Sequence, residues 1–316
     1  MVTHESPWRS RFFAWMNERF PPLFIVVNCV VFVTVLWYGR AVGSQEVSGF
    51  NVPWNWGRDL LGMLMFCLFP FMLRVFDEHK DFEADTHNHP ERVLQKGLIG
   101  LKDLRIVCCF GIAIQWGGSV VLDGRFGEIT QVWVCVMLWA MLMGIEFFCG
   151  DWLEEHLFLY AFTHQLISPL GIYWVLCMAY YPHGFPDFVD VGFALLLAFF
   201  AGFAFEISRK LKTPEEERST VDSYTKEFGT RGAPMVALLF LFGELIVVVG
   251  MILQVNPTSV GMMMAGASVV LFLVCMPPFI QFMKQPRKSL PKKMEGASGA
   301  VLLVNHFLVL AAIFTA

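Results

Sequence analysis

The chain of 316 residues is 56% hydrophobic and 16% charged, with 32 Phe, 10 Trp and a net charge of −4. So apolar a composition excludes an ordinary soluble domain, and no basic, aromatic-interleaved surface points to nucleic acid. The eight Cys fall within or at the end of apolar segments without CxxC spacing. They read as small apolar packing residues rather than a disulfide framework or a zinc site. Residues 1–20 mix Arg, Trp, Phe and Glu and contain no small-residue cleavage site, so they read as an interfacial amphipathic segment before the first span. Nine apolar runs of membrane-spanning length follow, at 22–42, 58–76, 105–122, 131–150, 158–181, 189–206, 234–254, 259–282 and 299–316. They are continuous, without the period-2 alternation of a membrane barrel. The expected fold class is all-α: a polytopic integral membrane protein in which 21–316 form a single nine-helix domain.

Orientation follows from the basic residues. Of 23 Lys and Arg, only Arg40, Arg58 and Arg125 fall on the side opposite the N-terminus when nine spans are assumed. The positive-inside bias therefore predicts a multi-pass protein whose N-terminus and long polar loops, 77–104 and 207–233, lie in the cytoplasm.

The first of those loops is the most informative stretch of the sequence. Asp77-Glu78-His79-Lys80-Asp81-Phe82-Glu83-Ala84-Asp85 follows the second span directly, and Asn88-His89-Pro90-Glu91-Arg92 comes next. Carboxylates at 77, 81 and 85 stack along one helical face, where like charges repel each other. A divalent cation turns that repulsion into coordination, and Mg²⁺ is commonly held by one or two carboxylates together with phosphate oxygens. An acid ladder, a Pro break and an Arg at a membrane surface suit a diphosphate held through metal.

These residues also carry a family resemblance. Asp77-Glu78-x-x-Asp81-x-x-x-Asp85 resembles the first Asp-rich motif, N-D-x-x-D-x-x-x-D, of the UbiA superfamily of intramembrane prenyltransferases. Asn88-x-Pro90-x-Arg92-Val93-Leu94-x-x-Gly97 resembles that family's N-x-P-x-R-P-L-x-x-G. The motif's place after the second span and the nine spans match as well. Asp77 stands where the family has Asn, Glu78 where it has Asp, and Val93 where it has Pro; the first two keep oxygen ligands. The family's second motif, about D-x-x-x-D, is degenerate here: Glu206 is the one matching acid, and Lys210 stands four residues later. Either Arg209, Lys210 or Lys212 contacts phosphate directly in its place, or Glu215–Glu217 bend back to supply ligands beyond Pro214. Asp222–Gly229 resembles the segment leading into the family's seventh span, whereas the acidic 151–156 loop departs from the basic loop of many members.

The resemblance implies a central cavity opening near the cytoplasmic face and an isoprenoid diphosphate as substrate. Asp77, Glu78, Asp81 and Asp85 would hold Mg²⁺, with Glu206 facing them, and Asp81, Asp85 and Arg92 would be the catalytic core. Lys80, Arg92, Arg209, Lys210 and Lys212 would bind the diphosphate. Metal and bases stabilise the charge on the leaving group, while aromatic faces shelter the allylic cation. Polar residues at membrane depth, Asn28, Glu146 and His164, are pocket candidates: Glu146 binds an acceptor hydroxyl or simply reaches the interface, and Asn28 and His164 line the cavity or make interhelical hydrogen bonds; Asn305 and His306 read as packing. The leading expectation is transfer of the prenyl group to an aromatic or other lipophilic acceptor in the lipid membrane. Two alternatives stay open: a terpene cyclase on the same scaffold, and a non-catalytic transporter or structural membrane protein.

Overall fold

A computed structural model describes residues 2–217 and 223–316, without the side chain of Glu154; Arg218 and Asp222 of the second polar loop lie outside the described residues. Fourteen α-helices are present among them: α1 (Trp8–Arg19), α2 (Pro22–Glu46), α3 (Trp56–Lys80), α4 (Phe82–Asn88), α5 (Leu101–Asp123), α6 (Glu128–Gly144), α7 (Gly150–Glu154), α8 (Leu157–Gln165), α9 (Ile167–Tyr180), α10 (Gly192–Arg209), α11 (Tyr224–Val255), α12 (Ser259–Cys275), α13 (Pro277–Lys284) and α14 (Leu290–Phe314). Seven segments are long and apolar enough to cross a membrane: α2, α3, α5, α10, α11, α12 with α13, and α14. The chain is an all-α, multi-pass integral membrane protein.

The other two predicted runs are helical but shorter. The run 131–150 is helical only as far as Gly144, because the backbone then turns left-handed through Glu146, Phe147 and Phe148. The run 158–181 divides at Leu166 into α8 and α9. The Gln165 Nε2 beside that break donates to Ser168 Oγ at 2.8 Å and to the Ala198 carbonyl at 3.3 Å. Gly202 makes room for this amide, since a Cβ there would lie 1.9 Å from Nε2.

Two compact units divide the chain. One comprises Met1–Val33 and Pro53–Phe147, the other Thr34–Val52 and Phe148–Ala316. In the first unit α3 packs on α5 and α6. Local chemistry sets its helix ends. Asn55 Oδ1 accepts the Arg58 N–H at 3.0 Å and Asp59 Oδ2 accepts the Asn55 N–H at 2.9 Å, so α3 starts with two of its orphan donors satisfied. Asp123, 3% exposed, ends α5 and accepts the N–H groups of Gly127, Ile129 and Thr130, which caps α6 and fixes the α5–α6 hairpin. Trp15 of α1 is fully buried against Phe71 of α3, with ring centroids 5.9 Å apart. Burying a ring of that size stabilises by about 2–3 kcal/mol, enough to hold a short helix in place.

In the second unit α10 packs against α8, α9, α11 and α14. Its core centres on Phe203, Tyr224, Phe279, Phe282 and Met294, all fully buried. Ser223 caps α11 by accepting the Lys226 N–H at 3.1 Å, so helix begins well before the apolar run at 234. Gly229 then adopts φ +72°, a left-handed conformation that favours glycine, and kinks α11 five residues ahead of Pro234.

Candidate functional site

The acid ladder lies at the junction of α3 and α4. Asp77 and Glu78 belong to the last turn of α3, Asp81 caps that helix, and Asp85 sits in α4. The Asp81 N–H donates to the Asp77 carbonyl and the Asp85 N–H to the Asp81 carbonyl, both at 2.8 Å. The i, i+4 spacing thus carries through the helix junction, as the sequence predicts.

Each acid but one is matched with a base. Arg19 Nε donates to Glu78 Oε1, and its Nη2 lies 3.5 Å from Asp85 Oδ2. Arg92 Nη1 donates to the same Asp85 oxygen at 2.5 Å. Arg74 Nη1 is 3.4 Å from Asp77 Oδ2, and Lys80 Nζ pairs with Glu146 Oε1. Asp81 makes no such pair among the described residues. Burial on its protein side raises its carboxyl above the ordinary range, Asp85 adds to the rise, and Lys80, Arg74 and Arg19 oppose it.

Sequence reasoning placed Arg92 and Lys80 here but missed Arg19, because no linear spacing connects position 19 to 78. Helix α1 supplies it by docking on the motif segment. Arg11 Nη1 donates to the Leu98 carbonyl at 3.1 Å, and Glu18 Oε2 accepts the Val93 N–H at 3.1 Å. Position in the last turn of α1 also places the Arg19 charge near the negative end of that helix's dipole.

Glu146 arrives by a costly backbone route. Glu146, Phe147 and Phe148 have φ of +50°, +53° and +60°, three successive non-glycine residues in the left-handed region. Such a conformation costs roughly 1–2 kcal/mol per residue, so the surroundings must over-determine it. The Lys80 pair and the Phe147 ring against Trp139, at 5.2 Å between centroids, provide that hold. A residue expected only to line a pocket joins the charged cluster.

The second acidic segment is self-contained. Glu206 accepts from Arg209 Nη2 at 2.6 Å and pairs with Lys210 Nζ at 2.8 Å, so two of the three expected phosphate-binding bases are drawn onto the single acid. The Lys212 main-chain N–H donates to Thr225 Oγ1 at 3.0 Å, which ties the loop to α11. Of the acids after Pro214, Glu216 turns back to Thr213 and Glu217 accepts from Ser223 Oγ at 2.6 Å. These contacts brace the loop and α11's cap.

The remaining candidates are local. Asn28 Nδ2 donates to the Phe24 carbonyl one turn back at 2.7 Å. His164 Nδ1 meets the Tyr160 carbonyl at 2.8 Å, and its ring stacks on Tyr160 at 4.0 Å. A buried polar group that sequence reasoning passed over lies in the second unit. Glu244 of α11 is fully buried, its Oε1 accepts from Asn305 Nδ2 at 2.9 Å, and Asn305 Oδ1 accepts from Ser268 Oγ at 2.8 Å. The signal was present: a lone Glu amid an otherwise apolar run.

No family model matches the sequence, and no curated protein matches it. Solved structures do match in three dimensions. A digeranylgeranylglyceryl phosphate synthase aligns over 96% of this chain and 99% of its own, at TM-score 0.63 and 15% identity. The apo UbiA homologue of Aeropyrum pernix K1 aligns over 90% and 97%, at 0.63 and 11%. A UbiA homologue from Archaeoglobus fulgidus aligns over 95% and 99%, at 0.57 and 10%. The chain has the UbiA fold.

On this UbiA fold, the donor set decides whether Mg²⁺ fits. Among the described residues no group of three or more His, Cys, Asp or Glu side chains is gathered closely enough to hold a metal by itself. Substrate-assisted binding needs less, since one or two carboxylates plus phosphate oxygens and water complete the shell. Hard oxygen donors are present in the right number. Among the described residues, Glu78 Oε2 is buried with no hydrogen-bond partner, and Asp81 makes no ion pair. The ladder therefore fits a cation that arrives with a polyanion rather than a resident structural ion.

Proposed function

We propose that the chain is a Mg²⁺-dependent intramembrane prenyltransferase that ionises an isoprenoid diphosphate and passes the prenyl group to an aromatic or other lipophilic acceptor. The observation that carries this is the charge arrangement on the UbiA fold: stacked carboxylates each matched to a base, apart from Asp81. Such a cluster is near neutrality when empty. A magnesium–diphosphate complex offers each half a new partner, with carboxylates turning to metal and bases to phosphate.

In this reading Asp77, Asp81 and Asp85 hold Mg²⁺ with diphosphate oxygens, and Glu78 adds its orphan oxygen. When bound, the cation withdraws electron density from the leaving diphosphate. Lys80 and Arg92 neutralise the diphosphate directly, and Arg209, Lys210 and Lys212 are the corresponding bases of the second segment. Glu206 acts there after its two bases turn to phosphate. Bases beside the ladder stabilise charge that grows as the C–O bond breaks, which is where electrostatic catalysis is strongest. The aromatic share of the chain, 15%, supplies faces that stabilise an allylic cation without trapping it. The excess of Lys and Arg in these loops supports a cytoplasmic face for this chemistry.

The test is incubation of membranes carrying the protein with geranyl, farnesyl and geranylgeranyl diphosphates, with and without Mg²⁺. Mg²⁺-dependent release of inorganic diphosphate together with a prenylated lipid product is expected. Asp81→Ala and Asp85→Ala are each expected to reduce release at least about 100-fold, the scale of losing a principal electrostatic group. A cyclic terpene formed without any acceptor would replace transfer by cyclisation. No release from any of the three substrates would refute the enzyme reading.

A further inference from the structure

Glu146 is not part of the ladder, yet the backbone takes three left-handed non-glycine residues to bring it to Lys80. Its side chain is 13% exposed, largely shielded yet still reachable. The other acids of the first unit's cluster have a different place. They sit on the ladder that would face metal, and Glu78 and Asp85 share Arg19. Once Lys80 turns to a diphosphate, Glu146 is the carboxylate left beside the reaction without a counter-charge. Strained backbone of this kind persists where the surroundings hold it and is concentrated at functional sites.

We propose that Glu146 is the proton acceptor of the reaction, masked by Lys80 until the diphosphate draws that lysine away. This rests on the prenyltransferase reading above. The balance is complete: the prenyl C–O bond breaks and its electron pair leaves with the diphosphate. An electron pair of the acceptor forms the new bond to the prenyl C1, and the acceptor's proton passes to the Glu146 carboxylate, which becomes a neutral carboxylic acid. That acid then loses its proton to water or to the departing diphosphate, which restores the carboxylate. The substrate class it selects is an acceptor that gives up a proton on prenylation, such as a hydroxyl or an aromatic C–H. Pairing with Lys80 keeps the base from being an uncompensated charge in the empty protein.

The test compares wild type with Glu146→Gln in membranes supplied with radiolabelled geranylgeranyl diphosphate and Mg²⁺. Positioned proton transfer is worth about 10²–10⁴-fold, so the variant should form prenylated lipid at least about 100-fold more slowly. Diphosphate release should persist, with the label diverted to geranylgeraniol as water traps the cation. A second measurement is equilibrium binding of inorganic diphosphate with Mg²⁺ to the purified full chain. Binding to the variant should be as tight as to wild type or tighter, because the diphosphate then has one charged competitor fewer for Lys80. Unchanged product ratio and rate in the variant would overturn the proposal, as would a wild type that yields only geranylgeraniol. Weaker diphosphate binding by the variant would overturn it too, leaving Glu146 a structural partner of Lys80. Absence of diphosphate release in the wild type from geranyl, farnesyl and geranylgeranyl diphosphates alike is a different result, and it removes the prenyltransferase reading on which the proposal stands.

Discussion

Arg19→Ala probes the contact that the sequence did not announce. The Glu78 side chain is fully buried and the Arg19 side chain is 16% exposed, so the ion pair is shielded from water. Removing one partner of a buried pair leaves the other charge without compensation, and the usual cost is about 3–5 kcal/mol. Asp85 adds little to this loss, because Arg92 still holds it at 2.5 Å. The packing of Trp15 against Phe71 is untouched, so α1 keeps its main apolar anchor. The expected loss is therefore about 3 kcal/mol or more, a large share of the roughly 5–15 kcal/mol by which domains are stable. The double variant Arg19→Met with Glu78→Leu removes both charges and fills the space, so it should recover most of the stability. The assay is equilibrium unfolding in mixed micelles for wild type, both single variants and the double. A loss below about 1 kcal/mol for Arg19→Ala would refute the reasoning, since an exposed pair behaves that way. A double variant no more stable than the single would refute it as well.

Other expectations follow from the same geometry. Asp81 is raised above an ordinary carboxyl, so it takes up a proton at higher pH than usual, and that proton competes with Mg²⁺. Activity should thus fall on the acid side of neutrality earlier than for an unperturbed carboxylate, and added Mg²⁺ should move the fall to lower pH; an acid limb insensitive to Mg²⁺ would count against Asp81 as a ligand. Glu206→Ala takes a carboxylate partner from Arg209 and Lys210 and removes one oxygen donor, so the Mg²⁺ concentration for half-activation should rise about 10-fold, the scale seen when metal-site partners are lost. An unchanged Mg²⁺ curve would restrict the metal to the first ladder. Asn305→Ala strips the partner from a fully buried Glu244 oxygen and should destabilise by about 1–3 kcal/mol, read as a lower unfolding midpoint, whereas an exposed pair would shift it little.

The distance between sequence and structure differs from residue to residue, for physical reasons. The 77–85 ladder was legible because helical periodicity is local: i, i+4 spacing places three carboxylates on one face wherever the helix runs, even through the Asp81 cap. Glu206 with Lys210 was legible for the same reason, since the pair closes within one helical turn. Arg19 was not, because its pairing with Glu78 spans 59 positions and depends on how α1 lies on α3. Glu146 was half legible. Its type and depth marked it as a candidate, but an apolar run to 150 predicted helix there, and the helix yields instead to a left-handed turn.

By itself, then, the sequence determined the solvent, the element type and the position of the acids. Hydrophobic run length requires helices that satisfy their own backbone in lipid, and carboxylate spacing is a property of one helix. Tertiary structure alone decided the partners of those acids. Which base meets which carboxylate depends on side chains brought together from α1, α3 and the turn after α6, and the energy of that meeting lies in burial and geometry. Local spacing contains neither.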